Sequence, residues 1–177
     1  MKKILKVTLL IVLVIFVGIQ FIRIDKTTPV VAPDKDFIVT TAAPDNVASI
    51  LTGACYDCHS FETKYPWYSQ IVPVSWWLKD HIDEGREHLN FSTWGDYSAK
   101  EADHKLEECI EEVKEKEMPL NSYTWMHSDA KLTTVQRETL VQFLTSLRKM
   151  KTSGDSKLHN DHKKYEEDEE HEEHDDD

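Results

Sequence analysis

A basic face is missing from this chain: 33 Asp and Glu outnumber 21 Lys and Arg, giving a formal net charge of -12. Phosphate backbones are bound through excess positive charge, so nucleic acid is excluded as a partner. Cysteine is scarce, with three in 177 residues. Cys109 belongs to no second C-x-x-C, which leaves a zinc-binding module short of half its usual ligands. No βαβ pattern surrounds the other two cysteines, so the setting of a thioredoxin-like pair is absent. No motif places a nucleophile beside a base, and no separate catalytic constellation is expected. The apolar N-terminal run ends without a small-x-small cleavage site and without a cysteine that would accept a lipid.

What is present is Cys55-Tyr56-Asp57-Cys58-His59. C-x-x-C-H is the attachment signal for a c-type haem. Each thiol can add across one vinyl group as a thioether, and the next side chain then falls beneath the iron as an axial nitrogen ligand. One covalent haem c is therefore the expected cofactor, with Cys55 and Cys58 as anchors and His59 as the proximal ligand. A disulfide between the two cysteines would close a very small, strained loop.

Met1 to Ile22 opens with Lys2, Lys3 and Lys6 and continues as an apolar run broken by Thr8, Gly18 and Gln20. That layout is an export signal with its N-terminus in the cytoplasm. An uncleaved single-pass anchor, with Ile4 to Ile24 just long enough to span, is expected within residues 1–24, and a cleaved signal is the alternative. Covalent haem attachment in bacteria belongs to the outer side of the cytoplasmic membrane, so the domain should face the periplasm. Residues 25–41, with Pro29 and Pro33 and no helical period, read as a tether. Residues 42–150 should form the haem-binding domain.

Within that domain Pro44 and Asp45 suit the first turn of a helix carrying Val47, Ile50, Leu51 and Ala54 on one face. It leads directly into the C-x-x-C-H loop. The aromatics between Phe61 and Trp77 need burial, and a flat macrocycle offers a surface for them. A second helix is expected from about Pro73, carrying Lys79 and Arg86, which could reach haem propionates. Ser98 with Glu101 forms a capping box for a third, with Ala102, Leu106, Cys109, Ile110 and Val113 inward and a row of glutamates outward. Thr133 with Gln136 caps the last helix, whose stripe is Val135, Leu140, Phe143, Leu144 and Leu147.

Between these helices lies Met118-Pro119. Proline ends a helix and holds the chain extended, which lets the thioether of Met118 turn toward iron as the distal axial ligand. His127 is the main rival, ahead of Met126, His81, His88 and His104. Residues 151–177, rich in Asp, Glu, Lys and His, bury too little apolar surface to order and are expected to be disordered. Histidines among those carboxylates could hold divalent metal weakly, and an acidic arm could steer a basic redox partner.

From about Ala43 to Leu147 the sequence resembles the haem-binding domain family of Bacteroidetes-type exported proteins, a c-type cytochrome-like domain. The likeness is carried by Cys55-Tyr56-Asp57-Cys58-His59-Ser60, Thr63, Tyr65-Pro66-Trp67-Tyr68, Pro73-Val74, Trp77, His81, Gly85-Arg86, Leu89-Asn90-Phe91-Ser92, Trp94 and Met118-Pro119. The resemblance implies an all-α domain wrapped around one haem. The expectation is thus a membrane-anchored, periplasmic monohaem c-type cytochrome that carries single electrons between partner proteins rather than an enzyme. A peroxide- or gas-binding enzyme or sensor with an open sixth position, and a zinc module, are the alternatives.

Overall fold

In this computed structural model residues 1–149 are described. The acidic, histidine-bearing segment falls outside them. Among the described residues all regular structure is helical. They fall into two compact units, one over Met1–Asp96 and one beginning at Tyr97.

The first unit opens with α1, Lys2–Ile19. At about 1.5 Å per residue and with Lys2, Lys3 and Lys6 in its opening turns, its apolar part falls short of a ~30 Å hydrocarbon core. No described helix is long and apolar enough to cross a membrane, so the span expected over residues 4–24 does not form as such.

The segment that reads as a tether is packed at its far end. A short 3-10 turn at Pro33–Lys35 leads into α2, Phe37–Thr40, capped by the Asp36 carboxylate, which accepts from the Ile38 amide at 2.8 Å. Phe37 is 0% exposed. Its ring lies 5.1 Å from that of Phe91 and meets Trp94 edge-on at 4.7 Å, the T-shaped geometry that aromatic quadrupoles favour. Phe37 is therefore part of the core, whereas Val39 and Thr40 are exposed.

Helix α3, Asp45–Ala54, starts behind Pro44, and its buried face is Val47, Ile50, Leu51 and Ala54. The single turn α4, Tyr56–His59, comes at once after it. After a 3-10 turn at Trp67–Gln70 comes α5, Val74–His88, burying Ser75, Leu78 and Ile82. The aromatics between Phe61 and Trp77, expected to be buried, are not: Phe61, Tyr65 and Tyr68 are half-buried, and Trp67, Trp76 and Trp77 stay exposed, Trp67 at 72%. The buried rings are Phe37, Tyr56, Phe91 and Trp94. The 3-10 stretch Phe91–Asp96 closes the unit.

In the second unit α6, Ala99–Glu115, opens on the Ser98–Glu101 capping box and buries Ala102, Leu106, Ile110 and Val113. Its glutamates face outward. A left-handed Lys116, φ 67°, ends the helix, and the amides of Glu117 and Met118 both turn back to the Glu112 carbonyl. Helix α7, Asn121–Met126, is short. Helix α8, residues 134–149, begins behind the Thr133–Gln136 cap and buries Leu140 and Leu144. Val135, expected on that stripe, is 71% exposed because it lies in the first turn, ahead of the packed face. Arg148 ties α8 to α6 through both oxygens of Asp103, at 2.8 and 3.1 Å, and through Glu107 at 3.1 Å.

Candidate functional site

The C-x-x-C-H motif is one helical turn. The amides of Cys58 and His59 both reach back to the Cys55 carbonyl, at 3.2 and 2.9 Å. Positions i, i+3 and i+4 share one face of a helix, so this turn sets two thiols and an imidazole side by side. Neither cysteine is in a disulfide, and both are half-buried. Burial, reinforced by the neighbouring Asp57 carboxylate, pushes the Cys58 thiol up to about 11. It is a protonated thiol at neutral pH.

His59 is fixed by α5. Its Nδ1 donates to the Gly85 carbonyl at 2.8 Å and lies 3.2 Å from the Leu89 carbonyl. A carbonyl oxygen only accepts, so the ring proton sits on Nδ1 and Nε2 keeps its lone pair. Burial holds the imidazole below its ordinary value, and the ring is neutral. A neutral imidazole whose second nitrogen is tied to a carbonyl is the usual preparation of a metal-ligating histidine.

Gly85 allows this approach. A Cβ at that position would stand 3.1 Å from the Cys58 carbonyl oxygen and 3.4 Å from both Cys58 Cβ and His59 Cε1. The nearest of these atoms is backbone and cannot swing away. Gly85→Ala is therefore expected to force α5 and the loop apart. It should cost about 1–3 kcal/mol in urea unfolding and lower the fraction of chains that acquire haem.

The rest of the turn is braced from several directions. The Tyr56 hydroxyl donates to Asp36 Oδ1 at 3.0 Å, with Oδ2 at 3.1 Å, while its ring stacks on Phe91 at 5.2 Å. Burial and the adjoining carboxylate keep that hydroxyl protonated. The Ser60 hydroxyl donates to the Tyr56 carbonyl at 2.7 Å, and that of Thr63 donates to the Asp57 carbonyl at 2.7 Å. Arg86, which could reach a propionate by sequence, is hydrogen-bonded to the loop. Its Nε donates to the Ser60 carbonyl and its Nη2 to Thr63 Oγ1, both at 2.8 Å. Lys79 pairs with Asp83 one turn along α5. Tyr56→Phe removes a buried hydrogen bond to a charged acceptor and should cost about 1.5–3 kcal/mol, read as a shift in the unfolding midpoint without change in slope.

Met118 and His127 belong to the second unit. Met118 is half-buried, and Arg137 donates from Nη1 to its carbonyl at 2.8 Å and to that of Val113. Among the rivals, His127 stacks on Tyr123 at 4.3 Å, with its Nδ1 3.2 Å from the Tyr123 carbonyl. Met126 is 49% exposed. His104 faces Glu108, and His81 directs Nδ1 to the Trp77 carbonyl. Burial pushes the Cys109 thiol up to about 12, as suits an inert inward thiol. Among the described residues no three His, Cys, Asp or Glu side chains gather as a metal-binding group.

Asp36, Gly85, Ser60 and Arg137 are not marked by sequence as supports of the site. Gly85 and Ser60 lie inside the quoted motifs, but their roles show only in the packing.

Described residues that are helical wherever they are regular, and that set two cysteines outside any disulfide and an oriented neutral imidazole on one turn, fit a haem-binding protein. The chain belongs to the Haem-binding domain family, whose model matches residues 14–146. That match begins within α1, so it takes in the segment around Phe37 as well as the region of resemblance that starts at Ala43. No curated protein and no solved structure matches the chain.

Proposed function

We propose that this protein is a monohaem c-type cytochrome, held at the outer face of the cytoplasmic membrane by its apolar N-terminal segment, that passes single electrons between partner proteins. The observation supporting this most directly is the Nδ1 hydrogen bond from His59 to the Gly85 carbonyl, made within the turn that carries Cys55 and Cys58, neither of them in a disulfide. It leaves the Nε2 lone pair available to bind iron. Cys55 and Cys58 would hold the haem as thioethers, each S–H adding across one vinyl group, sulfur to one carbon and hydrogen to the other, which would need no oxidant. When bound, haem supplies an iron that takes up and releases one electron. The chain's part is to hold the proximal imidazole neutral and fixed in direction, to keep the thiols at one-turn spacing, and to offer Met118 as distal ligand from a loop held by Arg137.

A methionine ligand gives a charge-transfer band near the red end of the ferric spectrum, and a second imidazole lowers the reduction potential relative to it. Met118→Ala is expected to abolish that band while haem stays covalently bound. An unchanged spectrum would remove Met118 and bring His127 forward. Carbon monoxide binding to the reduced wild-type protein without denaturant would instead favour an open or labile sixth position.

A further inference from the structure

Helix α1 is apolar around its whole circumference. From Val7 to Val17 every residue except Thr8 is apolar and stands 44–69% exposed. A helix that docks into a protein groove needs one apolar stripe, whereas one that is apolar all round fits surroundings that enclose it, which for an exported chain means lipid.

The chain beyond α1 does not swing free. The Gln20 carboxamide makes a two-way bridge to Val72, donating to its carbonyl at 2.8 Å and accepting from its amide at 3.0 Å. The Trp76 indole N–H donates to the Ile22 carbonyl at 3.2 Å. Arg23 donates to the Gln70 carbonyl at 2.8 Å, and Lys26 donates to Ser69 Oγ at 2.8 Å while lying 4.7 Å over the Tyr65 ring. Residues 20–26 are thus bound along their length to residues 65–76. Around them stand exposed Phe21 at 83%, Trp67 at 72%, Val74 at 40% and Trp76 at 38%. Tryptophan beside arginine and lysine at the end of an apolar helix is the chemistry of a membrane–water interface.

We propose that residues 20–26 and 65–76 form a collar that seats the C-x-x-C-H unit directly on a lipid surface, with Trp67 and Trp76 at headgroup level. This rests on the membrane location proposed above and adds a fixed orientation to it. Helix α5 starts at the collar, at Val74, and carries Gly85 eleven residues on, about 16–17 Å along its axis. His59 is hydrogen-bonded there, so the proximal ligand is held at a set distance from the collar. A redox partner would meet a domain presented in one orientation.

The test uses the full haem-loaded chain in vesicles of three parts phosphatidylethanolamine to one part phosphatidylglycerol. The photoreactive residue p-benzoyl-phenylalanine is introduced in place of Trp67, or in place of the exposed Glu87 near the far end of α5. Phospholipid adducts at position 67 at least tenfold above those at position 87 are expected. In the same vesicles trypsin should cut after Arg23 and Lys26 about tenfold faster once Gln20 and Trp76 are both changed to alanine, with the visible spectrum unaltered. Equal adducts at both positions, or wild-type cleavage as fast as that of the double variant, would overturn the collar while leaving the membrane location standing. A chain that does not float with the vesicles would overturn both, and the haem spectrum of the sample separates that result from a loss of cofactor.

Discussion

With Cys55 and Cys58 both replaced by alanine, haem is expected to leave the protein completely on acid–acetone extraction, whereas the wild-type chain should retain nearly all of it. Each single variant should retain one thioether and show a reduced-state absorption maximum shifted to the red. The spacing explains why the effect should be total. The two thiols and His59 share one face of a single turn, and Cys109, the third cysteine, is a buried thiol on α6 outside that turn. His59→Ala should act differently: the thiols remain, but the axial bond prepared by Gly85 and Leu89 is gone, so haem stays attached with a high-spin spectrum. Extractable haem in the wild type, or covalent haem in the double alanine variant, would contradict this assignment.

Phe37→Ala should be the most damaging single change outside the motif, costing about 3–5 kcal/mol. Phe37 is fully buried between Phe91 and Trp94, and Phe91 is in turn the ring on which Tyr56 of the C-x-x-C-H turn stacks. Removing the ring opens a cavity beneath that turn, and α2, only four residues long, has no other buried side chain with which to close it. Urea unfolding read by far-UV circular dichroism measures the loss. Haem incorporation should fall with it, since the Asp36 carboxylate that holds Tyr56 sits on the same short element. A loss under about 1 kcal/mol would mean that residues 37–41 are peripheral.

These two sites differ in how much of them the sequence discloses. Cys55, Cys58 and His59 are legible because their relation is local, set by one turn of helix. The Ser98–Glu101 and Thr133–Gln136 caps are legible for the same reason, and so is the start of α3 behind Pro44. Residues 33–41 are not. A four-residue helix has no measurable period, and Pro29 and Pro33 give the surrounding stretch the appearance of a linker, while the burial of Phe37 depends on rings far along the chain, at Phe91 and Trp94. The bracing role of Arg86 is not legible either, because its hydrogen bonds to the Ser60 carbonyl and Thr63 span more than twenty residues of sequence. Gly85 looks like a weak helix residue, and only the closeness of Cys58 and His59 explains it. The apolar N-terminal run shows its composition plainly, yet its helix stops at Ile19, where Gln20 turns its side chain to Val72.

The central claim is tested most directly by one measurement on the full chain expressed with the haem-attachment machinery: the pyridine haemochrome spectrum of the denatured, extracted protein. One haem per chain that survives denaturation, with a band position showing both vinyl groups saturated, is the predicted result. A colourless denatured chain with both thiols still titratable would contradict the account.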